Sequence, residues 1–101
     1  LDFGAKQASE AVRIFKAVSH PLRLRIVARL CDGPEHVTAL AEALEHPQSI
    51  VSQQLRILRM SGLVAASRQA GLQVYRLAEV RLIDLLRCAQ GCCPEPPVDN
   101  H

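Results

Sequence analysis

Residues 46–62 read HPQSIVSQQLRILRMSG, and two faces separate when the stretch is wound as a helix. Val51, Leu55 and Leu58 point one way, with Ile50 and Ile57 flanking them. Ser49, Ser52, Gln53 and Arg56 fall at i, i+3, i+4 and i+7 on the other side. This second face carries hydroxyl, amide and guanidinium groups and no carboxylate. His46-Pro47 interrupts the chain before it and Ser61-Gly62 closes it, so the pattern predicts a helix over about 48–61.

Toward the N-terminus, Ala8, Ala11, Val12, Phe15 and Val18 recur at helical spacing and predict a first helix over about 6–18. His20-Pro21 breaks and restarts the chain, with Pro21 in a favourable first-turn position. Leu22, Ile26, Val27 and Leu30 mark a second helix, ended by Asp32-Gly33-Pro34. Val37, Leu40, Ala41 and Leu44 mark a short third one. After Gly62 the period shortens: residues 63–68 and 72–77 are strand candidates around Gln69-Ala70-Gly71, whose glycine supplies a positive φ. Val80, Leu82, Ile83, Leu85 and Leu86 predict a last helix to about Gly91, and Pro94, Pro96 and Pro97 forbid its continuation. The expected architecture is mainly α with a small β-hairpin, in the order α-α-α-α-β-β-α. One domain is expected over residues 1–93, with a flexible tail over 94–101.

Composition agrees. Hydrophobic residues make up 49% of the 101 and aromatics only 3%, which favours a Leu/Val/Ile/Ala helical core over a β-sandwich. No apolar run is long enough to span a bilayer and no basic-plus-apolar signal opens the chain, so the expected location is cytoplasmic. The net charge of +2 conceals an asymmetry. Residues 1–46 balance, and residues 78–101 are net acidic. Residues 47–77 hold Arg56, Arg59, Arg68 and Arg76 without one acid, an electrostatic footprint for a polyanion.

Glutamine and serine hydrogen-bond to base edges, arginine to guanine or phosphate, and a helix start receives a phosphate. A short helix, a tight break and then such a helix is a helix-turn-helix arrangement, and a hairpin bearing Arg68 would be its wing. The alternatives are an amphipathic helix with an ordinary solvated face, and a winged-helix module that binds protein. No phosphate loop, paired catalytic carboxylates or Ser/His/Asp set stands out, and C-x-x-x-C-C closes a helix where a thiol oxidoreductase opens one with C-x-x-C. An enzyme is not expected.

The runs SHPLRLRIVARL, VTALAEALEHPQSIVSQQLRILRMSGLV and QVYRL, in that order, resemble the ArsR/SmtB family of bacterial winged-helix repressors over about residues 12–80. The resemblance implies a homodimer through the first and last helices, a fourth helix that enters a major groove of operator DNA, and an inducer that loosens binding. Carried over by position, the DNA-contacting residues are Gln48, Ser49, Ser52, Gln53, Gln54 and Arg56, with Arg68 on the wing. Gln53-Gln54 stands where many relatives carry histidines, so the operator is not transferable from them.

Against the family's sensor types, the cysteine pattern of the arsenic-sensing third helix falls here on His36, Thr38 and Ala41, and the last helix, AEVRLIDLLR, lacks the histidines of the zinc type. What remains is LRCAQGCCP at 86–94. Cys88 and Cys92 share a face if the helix continues; otherwise Gly91 ends it and Cys92 and Cys93 lie in a turn beyond. Three thiolates at Cys88, Cys92 and Cys93 suit As(III) or Sb(III), including organoarsenicals. Alternatives stay open: a persulfide or redox sensor pairing Cys31 with Cys92 or Cys93, or zinc with His101 as a fourth ligand. Cys88 taken alone reads as a small buried hydrophobe. A helix C-terminus does not favour thiolates, so low resting pKa values are not expected there. His20, His36 and His46 read as capping or solvated residues, and Arg23, Arg25 and Arg29 as a solvated face.

Overall fold

The computed structural model describes residues 1–91. Its elements are α1 (Ala5–Ala17), α2 (Pro21–Leu30), β1 (Glu35–His36), α3 (Val37–Leu44), α4 (Gln48–Met60), β2 (Val64–Gln69), β3 (Leu72–Leu77) and α5 (Arg81–Ala89). Five helices and a hairpin appear in the expected order, and most expected bounds hold to within a residue or two.

The core is aliphatic throughout. Leu22, Ile26, Val27 and Leu30 of α2 meet Leu40, Ala41 and Leu44 of α3 and Val51, Leu55 and Leu58 of α4, closed by Leu63, Val64 and Leu82. Each of these helices therefore buries one stripe and leaves the opposite face to solvent. α1 departs from the expected stripe: Ile14 and Ala17 are its buried residues, whereas Val12 and Phe15 stay 47% and 53% exposed. The periodicity that marked the helix thus contains an outward apolar face.

His20 caps α2 as expected: its Nδ1 accepts the Leu22 N–H at 3.2 Å, and Pro21 follows at the first helical position. His46 is exposed, while His36 occupies the N-cap position of α3 without a side-chain cap bond. The αL residue Glu45 (φ 57) ends α3, and the His46 N–H returns to the Ala41 carbonyl at 3.1 Å, which turns the chain into α4 within three residues.

The wing is larger by one strand than expected. β1 pairs antiparallel with β3, Glu35 opposite Tyr75 and His36 opposite Val74, giving a sheet of order β1-β3-β2. Two residues are too short to show a period, so only pairing reveals them as a strand. β2 and β3 run in register from Val64 opposite Leu77 to Gln69 opposite Leu72. The two-residue turn between them places Ala70 at φ 50 and Gly71 at φ 80, the left-handed pair that matches strand twist.

Candidate nucleic-acid interface

α4 displays what its sequence encodes. Val51, Leu55 and Leu58 are fully buried, and Gln48, Ser49, Gln53 and Arg56 are exposed on the outer side, with Ser52 half-buried among them. Ile50 and Ile57 flank the buried stripe at 38% and 37% exposure. The first turn contains no acid and no side-chain cap, so the helix itself supplies nothing that offsets the positive end of its dipole.

Gln54 differs from Gln53 in its surroundings. It is half-buried, and its Oε1 accepts from Arg23 Nη1 at 3.1 Å. Arg23 in turn donates through Nε to the Ala17 carbonyl at 2.7 Å, which holds the end of α1, the start of α2 and the middle of α4 together. Arg23 is therefore a bridging residue and not part of a solvated face. Arg29 is also engaged, 3.1 Å from the Glu35 carboxylate, whereas Arg25 is exposed.

Arg68 stands near the tip of β2, exposed, with Nη1 donating to the Gly71 carbonyl at 3.1 Å. Arg76 on β3 and Arg59 at the end of α4 are exposed as well. The outer face of α4 and the wing thus each expose cations or hydrogen-bonding groups, and residues 47–77 contain no carboxylate side chain.

The sensor candidates divide. Cys88 lies in the last turn of α5 and is exposed, so it is not the buried hydrophobe that its type suggested. α5 ends at Ala89, and Gly91 takes φ 83, the left-handed conformation that closes a helix. Cys92, Cys93, His101 and the expected tail 94–101 lie outside the described residues. Among the described residues, no group of three or more His, Cys, Asp or Glu is placed to hold a metal ion.

Cys31, the C-cap of α2, lines a cleft of ≈ 370 Å³ between α2 and α5. Leu24, Ala28, Ile83 and Leu86 form its apolar floor, and Arg25 and Arg87 stand at its edge. Burial pushes the Cys31 thiol up from its ordinary value and Asp32 adds to this, while Arg87 opposes both. A second cleft, ≈ 770 Å³, separates α1 from α5 and is lined largely by apolar side chains including Phe3, Phe15 and Leu85. No described helix is long and apolar enough to cross a membrane.

This arrangement is shared with known regulators. The HTH-type transcriptional regulator NmtR of Mycobacterium tuberculosis is 40% identical over 82 residues, 81% of this chain and 68% of that protein. The transcriptional repressor BigR of Xylella fastidiosa superposes with a TM-score of 0.80 at 34% identity, covering 89% of this chain and 93% of that one. A homodimeric winged helix-turn-helix DNA-binding domain from Mycobacterium bovis does so with a TM-score of 0.75 at 31% identity, covering 90% and 87%. These relatives are DNA-binding transcriptional regulators and not enzymes. Residues 20–66 match the family described as bacterial regulatory protein, arsR family. The polar outer face of α4, the arginine-bearing wing and these likenesses agree: the chain belongs to the ArsR family of winged helix-turn-helix transcriptional repressors.

Proposed function

We propose that the protein is a cytoplasmic, homodimeric operator-binding repressor that a thiophilic inducer releases from DNA. The observation that carries the DNA-reading part is the exposed, acid-free face of α4 beside a cationic wing. Gln48, Ser49, Ser52, Gln53 and Arg56 contact the major groove, Arg68 contacts phosphate from the wing, and Gln54 supports the helix from behind. The exposed Val12 and Phe15 of α1 and Leu85 of α5 support dimerisation through these two helices, as does the homodimeric relative.

The inducer reading rests on Cys88. It is exposed in the last turn of α5, and Cys92 and Cys93 follow it within five residues of sequence; three thiols so spaced match the donor set that As(III), Sb(III) or an organoarsenical takes. A site at the end of a dimerisation helix acts on the spacing of the two recognition helices. A second reading is favoured by the cleft around Cys31, which faces the end of α5: inorganic polysulfide takes two electrons from the thiolates of Cys31 and of Cys92 or Cys93, an S–S bond forms between them, and an S–S bond of the polysulfide breaks to release hydrosulfide, which carries off the thiol protons.

One experiment separates them. Reduced wild type and a Cys92→Ser/Cys93→Ser variant are titrated with arsenite under excess glutathione. About one arsenic per subunit on the wild type, and none on the variant, supports the metalloid site. If neither binds, arsenic is excluded, and mass spectrometry after polysulfide treatment tests for a link to Cys31. DNA binding is tested by salt dependence, since phosphate contacts make affinity fall steeply with salt. Insensitivity to salt would assign α4 to a protein partner instead.

A further inference from the structure

The exit of α4 is closed by two backbone bonds: the Leu63 N–H donates to the Leu58 carbonyl and the Gly62 N–H to the Arg59 carbonyl, each at 3.0 Å. Neither uses the Ser61 carbonyl, the C-cap of the helix. The guanidinium of Arg13, on α1, donates to it through Nη1. Gly62 adjoins this contact. It stands at φ 80, and a Cβ there would meet Arg13 Nη1 at 3.3 Å.

Arg13 is itself gripped from two sides. Its Nη2 lies 2.8 Å from Glu10 Oε2 on the same helix and 3.7 Å from Glu79 Oε1, in the segment that leads into α5. Arg81, the first residue of α5, closes the ring: Nε is 2.6 Å from Glu79 Oε2 and Nη2 is 3.3 Å from Glu10 Oε2. The Glu79 side chain keeps only 11% exposure. Beside it, the Ala78 and Glu79 N–H groups both donate to the Leu63 carbonyl, at 2.8 and 3.2 Å. The end of α4, the body of α1 and the entrance to α5 thus meet at one guanidinium.

We infer that Arg13 is a positioning residue for operator recognition: through the Ser61 carbonyl and Glu79 it fixes α4 against the α1–α5 pair, so that the recognition face and the dimerisation helices move as one. An arginine on α1 is otherwise simply a cation near a polyanion. Here its donors go to a helix cap and to the Glu10 carboxylate, with the Glu79 carboxylate paired at 3.7 Å, and that geometry makes it a clamp. The inference rests on the reading that α4 contacts DNA.

The test uses the whole chain and two probes: a duplex that the wild type selects from a random-sequence library, and an unselected duplex of equal length. Arg13→Gln is expected to lower affinity for the selected duplex about tenfold, in the range by which such positions shift coupling. The unselected duplex should be bound within about twofold of wild type, because sequence-independent affinity is set by phosphate contacts. Arg13→Lys should recover part of the loss, and Glu79→Gln should add nothing further when combined with Arg13→Gln. Equal losses on both duplexes, with the salt slope reduced by about one, would make Arg13 a phosphate contact and overturn the inference. So would wild-type binding to both. If Arg13→Gln does not fold, Arg13→Lys and Glu79→Gln decide, and a selected-to-unselected ratio unchanged in both overturns it. Gln53→Ala runs alongside: if that ratio survives its loss too, the reading of α4 has failed and not the clamp alone.

Discussion

Arg23 and Gln54 are thirty-one residues apart in sequence and 3.1 Å apart in space, guanidinium to amide oxygen. Neighbouring Gln53 carries the same side chain and has its amide in solvent. One helix thus presents two consecutive glutamines to two different environments.

Their substitutions should separate accordingly. Gln53→Ala is expected to weaken binding to a selected operator by about 1–3 kcal/mol, the scale of a base-edge contact, with little change in stability. Gln54→Ala should lower stability by about 1 kcal/mol through the lost bond to Arg23 and leave the preferred sequence unchanged. Urea unfolding and anisotropy titrations on the same samples check both. A Gln54 variant that changes operator preference would return this residue to the reading face.

Arg68 should behave as a phosphate contact. Arg68→Ala is expected to weaken selected and unselected duplexes alike and to reduce the slope of log affinity against log salt by about one. The bond to the Gly71 carbonyl is exposed, so its loss should leave the unfolding midpoint nearly unchanged.

Ala70 occupies a left-handed position at φ 50 where an alanine Cβ is crowded. Asparagine tolerates this conformation and is favoured at this place in a two-residue hairpin. Ala70→Asn should therefore stabilise the wing by about 0.5–1 kcal/mol, seen as a higher urea midpoint at unchanged slope.

The Glu10–Arg13–Glu79–Arg81 ring sets an acid limit. Glu10 is held below its ordinary value near 4.5 chiefly by the hydrogen bond from Arg13, and Glu79 chiefly by that from Arg81. Groups lowered in the folded state bind fewer protons there than in the unfolded chain. Their contribution is present above about 4.5 and is lost as pH falls through the lowered values. Stability measured against pH should decline more steeply in this range for wild type than for a Glu10→Gln/Glu79→Gln variant. Parallel curves would show that the ring contributes nothing.

Much of the fold was legible along the chain because helices and hairpins here follow simple rules. Aliphatic residues at i, i+3 and i+4 marked α2, α3 and α4, and Gln69-Ala70-Gly71 marked the turn. β1 was not legible, since two residues carry no period and become a strand only when Tyr75 and Val74 lie opposite them. Val12 and Phe15 marked α1 correctly as a helix but not its buried side, because an outward apolar face has the same spacing as an inward one. Cys88 was read as buried from its type, and only the placement of α5 shows it in solvent.

The order of elements, the acid-free span over 47–77, the polar face of α4 and the likeness to a repressor family are all written along the chain. Local spacing suffices for these, because a helix face is defined within its own element. Folding in three dimensions is what brings Arg23 to Gln54, Arg13 to the end of α4, and Cys31 across a cleft from α5. Each of these depends on what a distant segment places opposite a side chain, and no period along one helix encodes that.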